Sequence, residues 1–137
     1  MSTNSAIGVV INGKIRATYC HWDGYVDGVG KILLENYDQA KTQALMAFGS
    51  ISSLAPSIGL KHNFSASYPS GAIEKQWTTF YERDRGDDDC EAEWFDTAEE
   101  FLEYFGGEYW YLLGTDGVWY VSEGDMKWKK VSDLLTK

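Results

Sequence analysis

The stretch IGVVINGKIRATYCH, residues 7–21, places two apolar, β-branched runs either side of Asn12-Gly13. Asn-Gly is the dipeptide best suited to the two positive-φ positions of a type I′ turn, so the spacing predicts a hairpin over residues 7–11 and 15–21. Working outward, residues 23–28 read as a loop, and Val29, Ile32 and Leu33 give the apolar stripe of a short helix. Asp38 reads as the N-cap of a second helical segment, with Ala40, Ala44 and Phe48 on its inner face and Gly49 at its end. Residues 50–71, punctuated by Ser, Pro and Gly, read mostly as loop.

The second half repeats the hairpin theme. Residues 77–83 are β-branched and aromatic and read as a strand. Residues 84–89 form a charged turn into a strand over 90–95, with Cys90, Ala92 and Trp94 on one face and Glu91 and Glu93 on the other. Asp96 with Glu99 makes a capping-box start for a helix that turns Ala98, Phe101, Leu102 and Phe105 inward. Residues 109–113 and 118–122 form a hairpin across Thr115-Asp116-Gly117. Residues 127–131 add a short strand, and Ser132 caps a last helical turn. This order predicts an α+β domain: a largely antiparallel sheet of five to seven strands built from hairpins, with two or three helices packed on one face. The domain is expected over residues 7–137, after a short flexible segment, residues 1–6.

Charge is unevenly placed. The chain of 137 residues carries −9, and residues 82–108 hold twelve acids against Arg83 and Arg85 alone, so the remainder is close to neutral. Such a field repels nucleic-acid phosphates and anionic lipid, and favours a partner with a basic surface. The carboxylates available to that partner are Asp87, Asp88, Asp89, Glu91, Glu93, Glu99, Glu100 and Glu103. Aromatic residues make up 15% of the chain, a supply of rigid anchors for an interface. Cys20 and Cys90 are too few for a disulfide framework or a zinc site. With neither a secretory signal nor an apolar run of membrane-spanning length, the expected location is cytoplasmic.

No catalytic motif stands out. Residues 18–31, TYCHWDGYVDGVGK, follow the strand, Gly-rich loop, helix plan of a phosphate loop. However, Tyr25 stands at the first Gly position, Ile32 follows Lys31, and Asp23 and Asp27 repel phosphate. His21 and Asp23 point to one side of a strand end, but two ligands do not make a metal site. Cys20 and His21 fall on opposite strand faces, the wrong geometry for a thiolate–imidazole pair. In YERDRGDDD, residues 81–89, Arg83 and Arg85 would share a side of an extended backbone and form a fork for phosphate or carboxylate. The plainer account is a solvated turn whose charges neutralise one another.

On YCHWDGYVDGVGKILLENY (19–37), ISSL (51–54), FYERDRGDD (80–88) and EYWYLLGTDGVWYV (108–121), the chain resembles a family of small acidic proteins of tailed bacteriophages and prophages. In that family Pro often follows the Tyr of HWDGY, where this chain has Val26. The resemblance supplies no activity; it implies an accessory protein, made in the bacterial cytoplasm, that acts on a host or defence protein or sequesters a defence signal. The leading expectation is therefore a non-enzymatic protein that inhibits a basic bacterial protein through the acidic face, with no cofactor, metal or catalytic residue. The alternative is a binder of a nucleotide-like signal through His21, Trp22, Asp23, Tyr25, Arg83, Asp84 and Arg85. A small hydrolase using His21 and Asp23 is a third.

Overall fold

The computed structural model describes residues 3–59, 77–87 and 90–135. The first hairpin forms as expected: β1 (Ser5–Ile11) pairs antiparallel with β2 (Lys14–Cys20), and Asn12 and Gly13 take φ values of 51° and 78°. Ordered structure begins before the expected boundary at residue 7. Ser5 and Ala6 are buried in β1, and Thr3 accepts a hydrogen bond from Gly24 N. The remaining strands are β3 (Ile51–Ser53), β4 (Thr79–Phe80), β5 (Glu93–Phe95), β6 (Tyr109–Leu113), β7 (Trp119–Ser122) and β8 (Lys129–Lys130). The helices are α1 (Lys31–Asn36), entered through a π-type turn at Val26–Gly30, then α2 (Gln39–Met46), α3 (Tyr81–Arg85), α4 (Ala98–Tyr104) and α5 (Val131–Leu135).

The fold is α+β, and the sheet is largely antiparallel as expected, but among the described residues it has eight strands and is mixed, with β1–β6 and β2–β3 parallel, in the order β4-β3-β2-β1-β6-β7-β8 with β5 beside β2. β1 runs parallel to β6, from Ser5↔Tyr109 to Val9↔Leu113. The cause is the return path: α4 ends near the start of β1, and Glu108 N donates to Asn4 O at 3.0 Å, so β6 enters from the same end. Hairpin signals pair sequence neighbours only and carry no information about this long-range contact.

β1 is buried on both faces, and helices accordingly lie on both faces, not one. On the first, Ile7, Val9, Cys20, Leu33, Leu45, Ile51, Phe80 and Tyr111 pack beneath α1, α2 and α5. On the second, Ala6, Ile15, Ala17, Phe95 and Trp110 pack beneath Phe101 and Leu102 of α4. Full burial of one ring such as Phe101 contributes roughly 1.5–3 kcal/mol.

Several local expectations shift. Asp38 does cap α2, accepting from Lys41 N at 2.8 Å, but the buried face is Thr42, Leu45 and Met46, while Ala40 and Ala44 are exposed. A strand of three residues, Ile51–Ser53, occupies part of the expected loop; the loop's residues 60–71 lie outside the described residues. Only Thr79–Phe80 of residues 77–83 is a strand, and Tyr81 opens α3. In β5 the alternation holds, but burial differs: Phe95, opposite Ile15, is buried, and Trp94, opposite Arg16, is exposed. The cap of α4 is Thr97, which accepts from Glu100 N, while Glu100 Oε1 accepts from Asp96 N. Val131 opens α5, so Ser132 sits inside that helix and does not cap it.

Candidate functional site

The loop that leaves β2 is built by backbone contacts. His21 N and Trp22 N donate to Ile51 O and Ser52 O, Gly24 N to Thr3 O, and Val29 N to Asp23 O. Tyr111 OH, buried beneath it, donates to Gly24 O at 2.6 Å. The glycines serve packing here and not a phosphate cradle. A Cβ on Gly24 would come within 2.8 Å of Thr3 O, and one on Gly28 within 2.5 Å of Asp23 O. This stretch is a close-packed strand-to-helix junction.

His21 is half-buried, with Nδ1 2.6 Å from Tyr19 OH and 3.3 Å from Asn4 Nδ2, which also donates to His21 O. Asp23 Oδ1 accepts from Tyr25 OH at 3.2 Å, and among the described residues no hydrogen bond joins His21 to Asp23.

The Arg pair is divided. Because α3 is helical, Arg83 and Arg85 do not share the side of a strand. The Arg83 guanidinium turns into the protein: Nε lies 3.1 Å from Asp84 Oδ1, and the two terminal nitrogens donate to Gly59 O and Thr78 O. It also lies over the rings of Phe80 and Phe48, at 4.6 and 5.3 Å. Asp84 is enclosed and accepts from Phe80 N at 2.7 Å, closing the first turn of α3. Arg85 is exposed. Phe80 belongs to the first sheet face, through the register Cys20↔Ile51↔Phe80. Tyr19, which holds His21, shares the second face with Ala17. The Arg83 guanidinium therefore packs with the first face and His21 with the second, while the two segments approach through Tyr81, which after burial raises the Tyr19 phenol.

The acidic surface is as exposed as the sequence suggests. Asp87, Glu91, Glu93, Glu99, Glu100 and Glu103 all face solvent; Asp88 and Asp89 lie outside the described residues. Glu99 and Glu103 rim a surface depression of about 370 Å³ whose other walls are Leu102, Gly124 and Met126. Tyr104 stands next to it in the chain, 60% exposed, and Met126 is 49% exposed. Sequence reasoning missed Met126. Its only signal is the preceding Gly124-Asp125, which marks a turn and not a contact with α4.

Cys20 is fully buried, and burial pushes its thiol up to about 12, the opposite of an activated nucleophile. Among the described residues no three His, Cys, Asp or Glu side chains gather as metal ligands, and no helix is long and apolar enough to cross a membrane. No protein-family model, curated protein or solved structure matches the chain.

Proposed function

We propose that this chain is a phage accessory protein that binds and inhibits a bacterial host or defence protein, using the acidic α4 face to occupy a basic surface. The observation that carries the binding mode is the Glu99–Glu103 rim around a floor that includes Leu102 and Met126. A carboxylate rim steers a cationic partner and sets its register, while the apolar floor supplies the desolvated contact that holds it. The phage origin and host target rest on the resemblance at residues 18–122. The alternative, a nucleotide-like ligand gripped by an Arg fork, has lost its main group, since Arg83 is held internally.

The test replaces Glu99 and Glu103 with Lys and leaves Glu100, which supports the α4 cap. Tagged wild type and E99K/E103K are used to capture proteins from bacterial extract, and the affinity of the retained protein is then measured across salt. The expected result is a wild-type complex that weakens as salt rises and a variant at least about tenfold weaker. Equal binding by both proteins would contradict the proposal.

A further inference from the structure

With Arg83 packed on the first face, the loop after β2 presents exposed rings and the carboxylates of Asp23 and Asp27, Asp27 sharing a surface depression with Lys31. Trp22 is 43% and Tyr25 40% exposed, on either side of Asp23 in the chain. Asp23 and Asp27 are exposed, and neither belongs to an ion pair among the described residues. The Tyr25 hydroxyl fixes Asp23 through Oδ1 and leaves Oδ2 without a hydrogen-bond donor among those residues. The His21 ring braces Trp22 edge-on, with centroids 4.8 Å apart. The backbone beneath is pinned at Trp22, Gly24 and Val29, so the rings are held in place before any partner arrives. Asp23, with a smaller contribution from Asp27, raises the Tyr25 phenol above its ordinary range. Tyr109 is raised by burial and then by Glu123, Glu108 and Asp27, so the negative field continues along this end of the sheet.

We infer that this loop is a docking site for an arginine side chain of a protein partner, with the guanidinium over the Trp22 indole and hydrogen-bonded to the Asp23 carboxylate. A guanidinium is planar and weakly hydrated, and it can stack on a ring while donating in its own plane. A lysine ammonium meets only the charge, and a phosphate is repelled by both Asp23 and Asp27. The site is separate from the Glu99–Glu103 rim, so it can stand or fall independently of that surface.

The test follows the Trp22 indole N–H and the backbone amides of residues 22–28 in the ¹⁵N-labelled full chain, titrated with a hexa-arginine peptide. Wild type is compared with W22A, D23N and E99K/E103K. Asp23 has a φ of 57°, a conformation Asn adopts readily, so D23N removes charge while keeping the backbone. The expected result is saturable movement of the loop signals, weakened about tenfold by W22A and by D23N and changed less than about twofold by E99K/E103K. Loop signals that stay still, or that titrate identically in D23N and wild type, overturn the inference. A hexa-lysine peptide that binds the loop as tightly as hexa-arginine overturns the guanidinium assignment.

Discussion

The Arg83 guanidinium is a structural group, tied to Asp84, Gly59 O and Thr78 O and covered by two phenylalanine rings. Removing it takes the ion-pair partner from the enclosed Asp84 carboxylate, which keeps its hydrogen bond from Phe80 N. Arg83→Ala should therefore lower stability by about 3–5 kcal/mol in urea unfolding, the usual cost of breaking a buried ion pair. A ligand-gripping Arg would instead lower binding and leave stability intact. Titration makes a second prediction at this scale. Burial pushes Cys20 and Tyr37 up to about 12 from ordinary values of 9.0 and 10.0, and raises Tyr111 as well. The unfolded chain thus releases these protons first. Stability from these groups is complete below pH 9 and declines as pH rises from 9 to 12. The melting temperature should fall across that window, and Cys20→Ala should flatten the onset; a flat profile to pH 11 would contradict the account.

Among the elements, α2 shows where local pattern and tertiary packing part. Ala40, Ala44 and Phe48 share a helical face by spacing, yet the helix docks through Thr42, Leu45 and Met46. Leu45→Ala should cost about 2–5 kcal/mol. Ala44→Ser should cost under about 0.5 kcal/mol. Urea unfolding of both reads the difference directly. The β2–α1 junction makes a parallel case: Gly24→Ala forces a Cβ against Thr3 O and should destabilise by about 1–3 kcal/mol, seen as a lower melting temperature. What was legible in the sequence was local. Asn12-Gly13 announced its turn, Asp38 its cap, and Phe101 and Leu102 their inward face. What stayed hidden was set by distant contacts. WTTFYER has the composition of a strand, but Asp84 reaching back to Phe80 N turns it into a helix after two extended residues. Phe95 and not Trp94 is buried because the register on β2 places Phe95 opposite Ile15 in the second core.

For the whole molecule, the parallel contact of β1 with β6 brings the start of β1, the end of β2 and the start of β6 to one end of the sheet. That topology gathers Trp22, Tyr25, Asp23 and Asp27 there, with Glu108 close to Asn4. It leaves the acids of α4 displayed on the second face. Both candidate surfaces are anionic and carry exposed rings or an exposed Met, and both suit a cationic protein better than a phosphate. The residues for each surface were visible in the sequence. Their grouping was not, because Met126 joins α4, and Arg83 parts from His21, only through tertiary contacts. The measurement that tests the central claim most directly is native mass spectrometry of tagged protein purified gently from bacteria at low salt, beside E99K/E103K. The account predicts a wild-type complex with a basic bacterial protein that salt dissociates and the variant fails to form. A free chain, a chain carrying only an adduct of nucleotide mass, or a complex that survives E99K/E103K would contradict it.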